Sequence, residues 1–175
     1  MASASPARLR TTSGTTEQRH VYKRAGERSK VNQVAIFYPV FVQVLLTIAV
    51  YGLLALSRAR AIGGMNRGRG NPDLALGRVE WPEDAVKRAA NQRNQFELPV
   101  LFYAITAFAL ILNGADFLMV VLAWLFVLSR ILHAAIHIGP NKVRWRSPVF
   151  AVGFLIVAIM WVKLFFHVVT RGVVA

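Results

Sequence analysis

Asn94 and Glu97 stand three residues apart in the run Arg93-Asn94-Gln95-Phe96-Glu97-Leu98-Pro99, so on a helix they share one face. Further along, Arg130, His133 and His137 fall at i, i+3 and i+7, again on one face. Both groups interrupt apolar sequence at a matching depth, and two polar stripes at one depth can converge on an internal site. The same residue types also allow plainer chemistry. Asn94 and Glu97 suit a hydrogen-bond knot between helices, and Arg130 suits an ion pair with Glu97 that joins two of them. Two histidines four residues apart can hold a metal or haem in a bundle, although satisfied interior histidines need neither, and no metal is assigned.

The elements that must position these residues are membrane helices. An ionisable side chain at membrane depth costs about 3 kcal/mol on insertion scales, so such residues usually face a bundle interior. Of the 175 residues 55% are hydrophobic, with a mean hydropathy of +0.46, too apolar for an ordinary soluble domain. The 21 Lys and Arg against 8 Asp and Glu give a net charge of +13. These cations cluster in the N-terminal stretch and between apolar runs, which assigns them to anionic lipid headgroups and topology control rather than to nucleic acid. The absence of cysteine excludes disulfides, thiolate metal sites and a thiol nucleophile of the chain's own.

The spacing predicts an all-α integral membrane protein, a four-helix bundle. Residues 1–32 read as a basic, disordered tail with no apolar periodicity, and residues 33–175 as the membrane domain. Four spans are expected at about 34–56, 84–112, 117–138 and 149–169. Gln43, Thr47 and Tyr51 recur every four residues on the first span and predict an inward face. Residues 57–82 read as a long polar loop rich in breakers, and residues 113–116 as a tight turn. A short basic loop carries Lys142, Arg144 and Arg146, and Trp161, Lys163 and His167 read as interfacial anchors. The basic loops place both termini opposite the cytoplasm.

Arg93-Asn94-x-x-Glu97 with Pro99 just beyond it, and Ser129-Arg130-x-x-His133-x-x-x-His137 followed by Arg144 and Arg146, resemble signatures of the MAPEG superfamily. These are membrane-associated proteins in eicosanoid and glutathione metabolism. The phrase from Phe96 to Ala104 and the pair Met160-Trp161 resemble its bacterial branch. The resemblance covers residues 34–170. It implies a homotrimer that binds glutathione as co-substrate between subunits, in a bacterial inner membrane or an organelle membrane. It assigns glutathione binding to Asn94, Glu97, Arg130, His133 and His137. Ala90 stands where the family commonly has arginine, so Arg88 or Arg93 would substitute, and His137 replaces a tyrosine. Arg144 and Arg146 match two alternative spacings of the catalytic arginine. A guanidinium beside a thiol, whose free pKa is about 8.5, favours the nucleophilic thiolate, and arginine stays charged when partly desolvated. The expected reaction is conjugation to, or reduction of, hydrophobic electrophiles drawn from the membrane. A non-catalytic subunit or scaffold of the same fold is the alternative. A transporter is a third reading, in which the polar stripes line a path.

Overall fold

The computed structural model describes His20, residues 33–64 and residues 72–172. The reading of residues 1–32 as a tail therefore lies, His20 apart, outside the described residues, as does the centre of the loop at 65–71. Among the described residues the elements are all helices: α1 (Phe37–Gly63), α2 (Pro72–Ala75), α3 (Glu83–Asn94), α4 (Leu98–Ile111), α5 (Phe117–Ile138) and α6 (Val143–Gly172). Among the described residues, four spans are long and apolar enough to cross a bilayer: Gln33–Gly63, Glu83–Ile111, Phe117–Ile138 and Val143–Arg171. The chain is an integral, multi-pass membrane protein.

Two helices are longer than their apolar parts. α1 continues past residue 56 because Ser57-Arg58-Ala59-Arg60-Ala61 contains good helix formers. Its polar end is held from outside: the Arg58 guanidinium lies 5.1 Å from the Trp81 ring centre, and Arg88 Nη1 donates to Leu53 O at 2.9 Å. α6 begins at Val143, so Arg144 and Arg146 are helical rather than in a loop, and Pro148 lies inside the helix.

The second span is broken where a single helix over 84–112 was expected. Pro99 has no N–H, and its ring would meet the carbonyl four residues back, that of Gln95. The helix accordingly stops at Asn94, Glu97 takes φ −92° and ψ −91°, and α4 restarts with Pro99 in its first turn, where proline is tolerated. The break lets the two halves lean on different partners. α3 packs on α1 and α5, while α4 packs chiefly on α6.

α5 and α6 form the most extensive helix pair. Lipid is as apolar as a leucine side chain, so close packing rather than exclusion from water holds such helices together. Gly153 permits the approach: a Cβ there would lie 2.9 Å from Ser129 Oγ and 3.7 Å from Arg130 Cδ. Phe102 of α4 and Phe126 of α5 stack with centroids 4.5 Å apart, a pair worth about 0.5–1.5 kcal/mol beyond its area. Around them are buried Ile105, Ala109, Met119, Ala123, Met160 and Leu164. Trp161 packs against this core, edge-on to Phe108 at 5.9 Å.

The α4–α5 turn places Asn113 at φ 53°, a left-handed conformation that asparagine tolerates, and Gly114 N donates to Ala109 O at 2.7 Å. Asp116 then caps α5, accepting from Met119 N at 2.9 Å. Lys163 is more than an anchor, since its Nζ donates to Asp116 Oδ2 at 2.8 Å. His167 Nε2 lies 3.3 Å from Leu112 O. Burial raises the Asp116 carboxyl, but the bonds from Lys163 and Met119 and the charges of Lys163 and His167 outweigh it, so its pKa falls below the ordinary value.

Two outcomes are expected. Gly153→Ala should destabilise the detergent-solubilised protein by roughly 1–3 kcal/mol through overpacking, read as a lower unfolding temperature. Asp116→Ala should cost about 1–2 kcal/mol at neutral pH through loss of the cap and the ion pair. A carboxylate with a depressed folded pKa stabilises above its unfolded value, about 3.9, and loses that contribution as pH falls through the folded value. The gap between wild type and Asp116→Ala should therefore hold at pH 6–8 and narrow below about pH 4; a gap independent of pH would remove the ion pair from the account.

Candidate functional site

A cavity of about 340 Å³ opens at the elbow between α3 and α4, bounded by Ala90, Asn94, Glu97, His133, His137, Arg146, Ser147 and Phe150. Each wall has a local cause. α3 ends at Asn94, whose side chain therefore stands at the break. Glu97 sits in the break itself, between the two helices. α5 presents His133 and His137 one turn apart, and α6 presents Arg146 and Phe150 one turn apart.

Asn94 is the hub. Its amide nitrogen lies 3.3 Å from His133 Nε2 and 3.4 Å from His137 Nδ1. The amide donates, so each of these ring nitrogens acts as acceptor where it takes the bond. The two rings meet edge to face with centroids 5.6 Å apart, and His133 also packs on Phe150 at 5.5 Å. The His133 ring also meets the backbone of Arg146. Among the described residues no cluster of three or more metal-ligating side chains forms.

Arg130 is fully buried beneath this hub. Its Nη2 donates to Asn94 O at 3.4 Å, and its guanidinium stands 5.4 Å from the Phe150 ring centre. A cation beside the C-terminal end of α3 also meets the negative end of the helix dipole. Nε and Nη1 have no partner. The ion pair between Arg130 and Glu97 does not form: the ion pairs among the described residues are Lys87–Glu83, Arg88–Asp84 and Lys163–Asp116.

The other residues singled out divide clearly. Arg146 reaches the cavity, and its Nη1 donates to Asn141 Oδ1 at 3.0 Å, Asn141 being held at φ 47°. Arg144 is exposed and does not border the cavity. Arg88 is engaged with Leu53 O and, at 3.8 Å, with Asp84. Arg93 is exposed and also lies outside the cavity. Ala90 borders it, and neither arginine of α3 fills the space beside that alanine.

Sequence reasoning missed a second polar layer under the site. Gln43 Nε2 donates to Gln95 Oε1 at 3.0 Å, Gln95 Nε2 to Asn91 Oδ1 at 3.1 Å, and Asn91 Nδ2 to Ala134 O at 3.2 Å. All three amides are essentially inaccessible. The chain ties α1, α3 and α5 together directly behind the histidines. Gln43 carried a signal through its inward stripe, and Asn91 and Gln95, four residues apart, carried the same signal. On that stripe Thr47 is half-buried, and Tyr51 is largely exposed, its hydroxyl accepting from Gln92 Nε2 at 2.6 Å. Ser147 and Phe150 were also missed, because their inward placement depends on where α6 begins.

Comparison with curated proteins and with solved structures finds no match. A sequence model described as the MAPEG family matches residues 36–166, which contain the second and third spans whole, most of the first and fourth, and every residue of the cavity. The chain belongs to the MAPEG family, a glutathione-related family of membrane proteins.

Proposed function

We propose that the protein is a glutathione-binding membrane enzyme that presents the glutathione thiolate to hydrophobic electrophiles. One observation carries this reading: of two arginines at alternative family spacings, Arg146 borders the cavity that also gathers Asn94, Glu97, His133 and His137, and Arg144 does not. The cavity volume is at the low end of the range for small-ligand sites. Its lining suits a zwitterionic tripeptide. Glu97 can hold an ammonium group. Asn94 and the histidines can hold peptide and carboxylate groups. Arg146 supplies the fixed positive charge that favours a thiolate over a thiol. Attack of the thiolate sulfur on an electrophilic carbon forms a thioether as that carbon expels its leaving group with the bonding pair or, at an activated double bond, as the π pair moves onto the electrophile and takes up a proton, and Phe150 provides an apolar wall beside that point.

We further propose that the site is completed by a second copy of the chain in a homotrimer. Glu97 and Arg93 are exposed in a single chain and have no ion-pair partner among the described residues. A carboxylate at membrane depth is stable only when a neighbour or ligand satisfies it. In mild detergent the solution mass should be three times that of the chain; a monomer or dimer in several detergents would count against the proposal.

Isothermal titration of the solubilised protein with glutathione separates the enzyme from a non-catalytic scaffold of the same fold. Binding at or below millimolar concentration is expected. Glu97→Gln should weaken it by about tenfold or more, the worth of a charge-assisted hydrogen bond. Arg146→Ala should retain most binding yet raise the pKa of the bound thiol, followed by ultraviolet thiolate absorbance against pH, whereas Arg144→Ala should leave that pKa in place. Binding with no change of thiol pKa in either variant leaves a binding protein only, and no binding leaves a scaffold.

A further inference from the structure

The first turns of α6 have two faces. Arg146, Ser147 and Phe150 turn toward the polar cavity. Trp145, Pro148, Val149 and Val152 turn toward a second cavity, of about 680 Å³, between α5 and α6. Its walls are apolar: Leu125, Leu128 and Leu132 on α5, and Trp145, Val152 and Ile156 on α6. Ser129 is its one hydroxyl-bearing wall residue, and that hydroxyl is already committed to Phe126 O at 2.6 Å. Apart from the Trp145 indole N–H at its mouth, the groove offers a polar ligand no uncommitted donor.

The chain immediately before Trp145 is different. Lys142 and Arg144 are exposed, and neither has an ion-pair partner among the described residues. Trp145 is 63% exposed at the same end of the groove. From Trp145 to Ile156 the α6 wall rises roughly 17 Å at 1.5 Å per residue. That is close to one leaflet, about half of a ~30 Å hydrocarbon core. The groove thus has an apolar trough one leaflet deep, an aromatic ring at its mouth and two free cations just outside.

An electrophile for the glutathione site fits poorly here, because α6 itself separates the groove from Arg146. An apolar helix of a second copy would match the trough but would leave the cations unanswered. We propose that the α5–α6 groove binds an anionic phospholipid, with acyl chain along Leu128, Leu132, Val152 and Ile156 and headgroup phosphate at Lys142 and Arg144. Trp145 marks the boundary between the two, where tryptophan is favoured. The proposal gives Arg144 a role that the polar cavity does not.

The test uses the full chain reconstituted into bilayers containing either brominated phosphatidylglycerol or brominated phosphatidylcholine. Bromine on the acyl chain quenches nearby tryptophan, and Trp145→Phe identifies the Trp145 signal among the 4 tryptophans. The Trp145 signal should be quenched at a several-fold lower fraction of the anionic lipid than of the zwitterionic one. Lys142→Gln with Arg144→Gln should remove this preference, on the order of fivefold for each cation near the membrane surface. Raised salt should weaken it in the wild type, a control that requires no substitution. Val152→Phe, which fills the trough, adds no tryptophan and keeps both cations, should also abolish it. Equal quenching by the two lipids would overturn the proposal in favour of ordinary surrounding lipid. Absence of quenching by either lipid would overturn it in favour of a second copy covering the groove.

Discussion

The missing N–H of Pro99 is the constraint on which the rest of this bundle depends. In hydrocarbon, backbone groups freed from a helix cost several kcal/mol each unless another partner satisfies them. A proline in the middle of a span is therefore tolerated only where the protein covers the gap. Here α5 does so, since Arg130 reaches Asn94 O across the end of α3. The same break turns α3 toward α1 and α5 and α4 toward α6, so one discontinuity both closes the bundle and leaves the cavity at its elbow. Glu97 is presented at that elbow because it is one of the residues that belongs to neither helix.

Placing Arg130 in the interior has consequences for its neighbours. A buried guanidinium is stable when hydrogen-bonded or close to negative charge or dipole. This one has a carbonyl, the end of a helix and an aromatic face, but two of its donor nitrogens have no partner. The amide chain from Gln43 through Gln95 and Asn91 to Ala134 O is the more complete polar element. Each amide donates to the next, and the last acceptor is a backbone carbonyl, so the direction of the chain is fixed. Apolar replacement of the middle member would strand a donor on one side and an acceptor on the other, and a half-satisfied network is worse than none. The layer therefore locks the registry of α1, α3 and α5 behind the site, where apolar contacts with no directional preference would permit sliding.

The sequence was most informative where a boundary carries its own chemistry. The third span was expected at 117–138, and α5 occupies Phe117–Ile138, because Asp116 is a cap and Gly139-Pro140 is a stop. The first and fourth spans were expected to end where hydropathy falls. Yet Ser57 to Gly63 and Val143 to Ser147 are helical, since arginine, and in the first segment alanine, favour helix regardless of polarity. Hydropathy reports where lipid ends, not where a helix ends. Within the site, helical spacing was enough to bring Asn94, His133 and His137 together. It could not choose between Arg144 and Arg146, because that choice depends on the helical phase of α6, which is fixed only by its start at Val143. Nor could it place Arg88 on Leu53 O, since a backbone acceptor leaves no trace in side-chain pattern.

The start of α6 accordingly has a larger effect than its length suggests. Two arginines separated by a single residue are about 200° apart around a helix, nearly opposite faces. Had residues 142–148 remained a loop, both side chains would have been free to approach the cavity. As a helix, the segment commits Arg146 to the polar side, where Asn141 at positive φ holds it by a 3.0 Å bond. It commits Arg144 and Trp145 to the outside, and Gly153, two turns on, lets α6 lie close enough to α5 for both faces to have walls. A membrane helix can thus serve two environments of opposite polarity within two turns, provided its backbone is ordered before it enters the hydrocarbon.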